Sequence, residues 1–394
     1  METKPRKSIW PAVERAFVLL LSALFLLIGW RVCRYQPTDA VEEECETATV
    51  VEVVDRYEQS VVEGSATEVI IFRARMTSGE YDGQVLEMQQ TIEPMVLPKP
   101  DPVAEGDRIL VLDAYQMGLD TEYQWIYGGQ NRIPGMIWLA AAFLLLVVVI
   151  GRWKGAATVI ALLITFAALF CVYIPAILTG RNVYASTIVV SLFVILSSLA
   201  LLGGLNRKTL CAVAGNSGGV AVAGVLALIV NSALKITGIL DTEYTFLMML
   251  SGDVSIDLRG VVWGGILIGS LGAIMDVSMS ITSAMYELSF EVGGPGGTKR
   301  MIAAGMNIGR DAIGTMTNTL ILAYLGGSMA VVLLFTAYNR NPLMMLNFEM
   351  IVVEVVQAIV GSIGILFSVP ITVLLAAWLF RGNMKAEAGA ELPR

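Results

Sequence analysis

The chain has 394 residues, 56% of them hydrophobic and 15% charged, with a formal net charge of −8 and a mean hydropathy of +0.70. Apolar content this high marks an integral membrane protein. The absence of any His removes the usual neutral-pH proton relay and the commonest metal ligand. A zinc hydrolase and a Ser-His-Asp enzyme are excluded, and no enzyme and no cofactor are expected.

After "METKPRK" comes "AFVLLLSALFLLIGW", part of an apolar run over 16–33 that suits a membrane helix, which needs about 20 apolar residues. It lacks a small-x-small cleavage site and is followed by Arg31, Cys33 and Arg34, so it reads as a retained anchor rather than a removed signal. Residues 1–33 are expected to form the cytoplasmic N-terminus and first transmembrane helix.

Residues 34–133 change character, with 20 Asp or Glu against 7 Lys or Arg. Acidic excess of this kind argues against a nucleic-acid partner. "TATVVEVVDRY", "ATEVIIFRARM", "QVLEMQQTI" and "DRILVLDAY" are β-rich runs separated by turn residues such as "TSGEYDG" and "EGD". Four or five strands in this length predict a small β-barrel or sandwich. "VAEGDRILVLDAY" would supply its closing strand, with the turn at Gly106-Asp107. A Cys33–Cys45 disulfide and free thiols both stand open.

Seven further apolar runs follow, at 134–151, 156–179, 183–205, 211–234, 260–284, 312–338 and 350–380. The fold class is therefore a transmembrane bundle of about eight helices with a small β-rich domain between the first and second. Basic residues collect on alternate connections, at Arg152 and Lys154, Arg207 and Lys208, Lys299, Arg300 and Arg310, then Arg381 and Lys385. The positive-inside rule then puts both termini in the cytoplasm and 34–133 outside. Residues 134–380 form the seven-helix bundle and 381–394 a cytoplasmic tail. The outer segment 235–259, with its apolar "YTFLMML", is expected to dip into the interface or lie against the helices. "RKTLCAVAGNSGG" and "KRMIAAGMNIGRD" form a faint internal echo, which as a repeat would be a parallel one of helix pairs.

Inside the span at 260–284 lies one carboxylate, Asp276. Steps of three and four residues from it reach Gly269, Gly272, Ser280 and Ser283, all on one helical face. It lies roughly 16 Å from Glu287, at about 1.5 Å per residue. An Asp so placed costs about 2.5–3.5 kcal/mol on insertion scales, so it faces a bundle interior or a wet cavity. It either locks two helices together or serves a solute or ion. A second stripe, Asn307, Asp311, Thr315 and Asn318, repeats at helical spacing in the next span. Asn216 near the start of the fifth span, and Gln357 in the last with Glu354, Gly361, Gly364 and Ser368, add polar groups to small residues that otherwise serve close packing. Oxygen donors suit a hard cation, a proton or a polar solute better than a soft metal; no metal is assigned. "GGPGGTKR" at 293–300 lacks the G-K-[ST] ending of a phosphate loop.

"GSLGAIMDVSMSITSAMYEL" and "GMNIGRDAIGTMTNTLILAYLGGS", with "SGEYDGQVLEMQQ" and "VAEGDRILVL", resemble the YibE/F-like bacterial membrane proteins, over about residues 48–380. The resemblance implies a multi-pass bacterial inner-membrane protein with an N-terminal helix, an extracytoplasmic β domain and a helical bundle. It assigns no chemistry. The expected function is a permease or ion-coupled transporter of a small polar or cationic solute in the lipid bilayer, with the outer domain gating or presenting solute. The substrate or ion pathway would comprise Asp276, Ser280, Asn307, Asp311, Thr315, Asn318, Asn216 and Gln357. The alternative is a non-transporting scaffold whose outer domain binds a partner; a homo-oligomer also stands open.

Overall fold

A computed structural model of the chain describes residues 10–34, 45–62, 65–93, 100–119, 121–240, 244–247, 256–292, 296–337 and 341–381. Several expected features lie outside them: the basic residues Lys4, Arg6, Lys7 and Lys385, the last three residues of "YTFLMML", the first part of the 293–300 turn, and the tail beyond Arg381. The chain divides into two compact units, 36–146 and 1–35 with 147–394. All four cysteines are free.

The smaller unit is a closed five-stranded barrel of β1 (Cys45–Val62), β2 (Ser65–Met76), β3 (Val85–Ile92), β4 (Arg108–Asp113) and β5 (Trp125–Gln130), ordered β1-β2-β3-β5-β4. All pairings are antiparallel except β3 with β5, the Greek-key arrangement of OB-type barrels. β4 closes the barrel onto β1, entered through Gly106 at φ 87°. Alternation aims Phe72, Ala74 and Met76 of β2, Met88 of β3, and Ile109 and Val111 of β4 inward around Trp125. Register shifts at Val50/Glu52 and Val53/Asp55 bend β1, as bulges do. β5 escapes the sequence patterns because its run is "WIYGGQ": paired glycines read as a turn, and Gly129 adopts φ 149°. Across the outer face, Arg73 on β2 pairs with Glu87 on β3 and Glu52 on β1, both at 2.7 Å. Hydrogen bonds to Glu87 and then Glu52 hold the Arg73 guanidinium above its usual range.

The larger unit is helical: α1 (Trp10–Val32), α2 (Ile133–Ala168, its first part lying in the smaller unit), a π-helical segment (Leu169–Tyr173), α3 (Ile174–Leu178), α4 (Val183–Gly203), α5 (Arg207–Ala233), α6 (Leu258–Glu291), α7 (Gly297–Gly327), α8 (Met329–Ala337), α9 (Pro342–Leu346) and α10 (Glu349–Leu379). Side-chain caps start three of them: Asn182, Asn206 and Asp257 accept from the backbone N–H three residues on. Among the described residues six helical stretches are long and apolar enough to cross a membrane, against the eight runs expected.

Two differences account for that number. Residues 133–178 form one helical stretch of 46 residues, broken at Arg152, whose φ 51° and ψ −126° are non-helical. Gly155 packs against the Val147 carbonyl across this break, although eight residues of straight helix span about 12 Å. The chain is folded back sharply there, and only a residue without Cβ fits. The run expected at 312–338 is instead part of α7, which begins at Gly297 and carries Lys299, Arg300, Arg310 and Asp311, and the chain starts a new helix, α8, after Ser328.

Contact registers fix the helix directions. Phe25 of α1 stacks on Phe193 of α4 at 3.9 Å while Val18 clusters with Ala200, so α1 and α4 are antiparallel. Gly215 and Gly219 of α5 lie against Thr372 and Ser368 of α10, and Gly361 and Gly364 of α10 lie against Ser270 and Ile274 of α6. Trp263 of α6 donates to the Gly224 carbonyl of α5 at 2.9 Å. Thus α6 and α10 run parallel, with α5 antiparallel to both. Gly305 and Gly309 of α7 meet Val373 and Val369 of α10, giving α7 the direction of α5. The sequence echo has a structural counterpart here: each of its two copies docks on α10 through glycines four residues apart. In the helical segment 244–247, Tyr244 packs on the bundle core.

Candidate functional site

α6 buries Ile266, Ile274, Val277, Ile281 and Met285. At about 100° per residue, Gly269, Gly272, Asp276 and Ser280 fall on the opposite face, and all four are exposed. A Cβ added at Gly272 would meet nothing within 4 Å, so open space lies one turn from Asp276. No described residue hydrogen-bonds or ion-pairs with Asp276.

α7 packs through Met301, Gly305, Gly309 and Leu320. Asn307, Asp311 and Asn318 lie roughly opposite that face and are exposed, as is Thr315 to one side. Asn307 accepts from Arg310 at 2.8 Å, and the Thr315 hydroxyl turns back to the Asp311 and Ala312 carbonyls. Tyr324 abuts Gly269 and Gly305 abuts Met285, so α6 and α7 run antiparallel with Asp276 near the level of Thr315. The two stripes share that level without bonding to each other.

Gln357 is brought to α6. Its amide donates to the Tyr324 hydroxyl at 3.0 Å and to the Gly265 carbonyl at 3.4 Å. A Cβ on Gly269 would fall 2.5 Å from Gln357 Nε2 and 2.7 Å from Tyr324 Oη. The glycine makes room for this junction on the same α6 face as Asp276, about two turns away. Tyr324 was absent from the sequence-derived set, since a lone Tyr in an apolar run carries no spacing signal.

Asn216 sits apart, in the packed seam of α5. It is fully buried, and neither its Oδ1 nor its Nδ2 has a partner among the described residues. Beside it Thr372 Oγ1, pressed on Gly215, is also unpaired. Buried polar groups are nearly always satisfied, so such orphans need an explanation. Also unforeseen was Glu349 at the start of α10, whose carboxylate accepts from the Thr237 and Gly238 backbone N–H groups, both at 2.7 Å. It holds the connection leaving α5.

Residues 139–382 match the YibE/F-like protein family. The chain belongs to that family. The match begins beyond β5, so it covers the helical part of this YibE/F-like chain, including Asp276, Gln357, Asn216 and the α7 stripe, and leaves the barrel outside. Searches of curated proteins and of solved structures returned no match.

Proposed function

We propose that this YibE/F-like protein is a bacterial inner-membrane permease or ion-coupled transporter of a small polar or cationic solute. Both termini would face the cytoplasm and the barrel the outside. The observation that carries the proposal is Asp276: a carboxylate midway along an apolar helix, without a partner among the described residues and beside open space at Gly272. A helix-locking Asp would be bonded to a neighbour; one that binds a cation or proton must be reachable. Gln357 and Tyr324 add polar atoms on the same face. Alternating helix directions in α4 to α7 and α10 agree with basic residues returning to one side.

Reconstituted proteoliposomes supplied externally with candidate cations or amino acids test this under an imposed pH gradient. Uptake should be pH-dependent and lost in Asp276→Asn. Uptake by that variant at the wild-type rate would overturn the assignment of Asp276.

A second reading concerns assembly and is favoured by one observation, the outward-facing stripe on α7. Polar side chains directed into lipid are costly, so Asn307, Asp311 and Asn318 call for cover by water or by another helix. Exposed Arg310 and Asp311, adjacent on α7, are self-complementary across a two-fold axis. The pathway would then lie where copies of the chain meet.

A further inference from the structure

Two cavities adjoin at the α4–α5 connection and share Asn206 and Arg207. One is a cleft of about 770 Å³ between α1, α4 and the start of α5, walled by Phe17, Leu21, Phe25, Leu196 and Leu210 among others. The other, about 300 Å³, is lined by Asn206, Arg207, Lys208, Tyr286 and Phe380.

The two differ in chemistry and are continuous at one cation. Arg207 is exposed and Lys208 half-buried, and neither forms an ion pair with a described residue. Lys208 Nζ stands 5.7 Å over the Tyr286 ring, a contact that attracts the cation but supplies no counter-charge. The nearest acid on α1, Glu14, accepts from the Leu205 backbone N–H at 3.4 Å. Asn206 is occupied in capping α5 through Thr209.

Length identifies the occupant. Glu14 marks the basic end and the Phe25–Phe193 stack the far end of the cleft. Eleven residues of helix separate them, roughly 16 Å, or about half of a 30 Å hydrocarbon core. A groove one leaflet deep and mainly apolar, opening on two cations that have no ion-pair partner among the described residues, matches an amphiphile with an anionic head. We infer that this is a binding site for an anionic phospholipid, its phosphate held by Arg207 and Lys208 and an acyl chain along α1 and α4. Basic pockets of this kind, between membrane helices on the cytoplasmic side, select anionic head groups by charge. The site rests on bilayer embedding and is independent of transport through Asp276.

The test titrates delipidated, detergent-solubilised full-length protein with phosphatidylglycerol or phosphatidylcholine of identical acyl chains, counting bound lipid by native mass spectrometry. Wild type should bind phosphatidylglycerol at least about tenfold more tightly. Arg207→Ala with Lys208→Ala should abolish that preference, while Arg207→Lys with Lys208→Arg keeps it, which separates lost charge from lost fold. Leu196→Trp, at an exposed wall position, should weaken both lipids alike. Asp276→Asn should bind as wild type does, so the lipid site can stand if transport fails. Equal affinity of wild type for the two lipids, a preference surviving loss of both cations, or displacement by glycerol phosphate at the same concentration would each overturn the inference.

Discussion

Gln357 donates a 3.0 Å hydrogen bond to the Tyr324 hydroxyl and a 3.4 Å one to the Gly265 carbonyl, tying α10, α7 and α6 together over Gly269. Gln357→Leu leaves the Tyr324 hydroxyl without this donor, and Tyr324→Phe leaves the amide with Gly265 alone. A double-mutant cycle on thermal unfolding should give a coupling of about 0.5–1.5 kcal/mol. Gly269→Ala should disrupt the same junction by displacing both side chains.

Asp276→Asn should leave stability within about 0.5 kcal/mol of wild type, as for an exposed residue that has no partner among the described residues, while abolishing uptake. A drop of several kcal/mol in detergent, with uptake retained, would point instead to a structural lock.

The glycines divide by what surrounds them. At Gly219 a Cβ would fall 2.7 Å from Ser368 Cβ and 2.9 Å from the Gly364 carbonyl oxygen, which is backbone and cannot swing aside. Gly219→Ala should destabilise by about 1–3 kcal/mol through overpacking. Gly272→Ala, with open space, should unfold within about 0.5 kcal/mol of wild type.

Asn216→Leu removes two unpaired buried polar atoms at little change of volume. If they serve no ligand, relief of their desolvation should raise stability by about 1–3 kcal/mol with transport intact. On the proposed pathway the same gain comes with loss of uptake, a trade of stability against function. The paired measurement is unfolding temperature and uptake on one preparation.

Assembly through α7 has its own readout. In a background with Cys33, Cys45, Cys171 and Cys211 replaced by Ser, Asn318→Cys should form an oxidant-dependent cross-linked dimer in native membranes. Leu320→Cys, on the packed face of α7, should not.

Much of this was legible in the sequence because membrane helices and β-strands are dictated locally. Apolar runs placed the helices except at 312–338, where α7 begins at Gly297 and α8 starts after Ser328; alternation placed four of five strands, and Gly106 marked the turn into β4. β5 was missed because its glycines obey the barrel's closure rather than strand propensity. Periodicity also gave the faces of Asp276 and of the α7 stripe.

Periodicity is blind to what a face meets. The sequence by itself determined which segments become helices, where one charge interrupts them, and that Asn307, Asp311 and Asn318 share a side, since these follow from composition and from 3.6 residues per turn. Only the tertiary structure decided that this side turns away from α10, that Gln357 finds Tyr324, and that Asn216 is sealed without a partner among the described residues. It also decided that α1, α4 and α5 leave a groove ending at Arg207. Those relations depend on which small residues let which helices approach, and close packing between segments distant in the chain is set by the whole assembly of side chains.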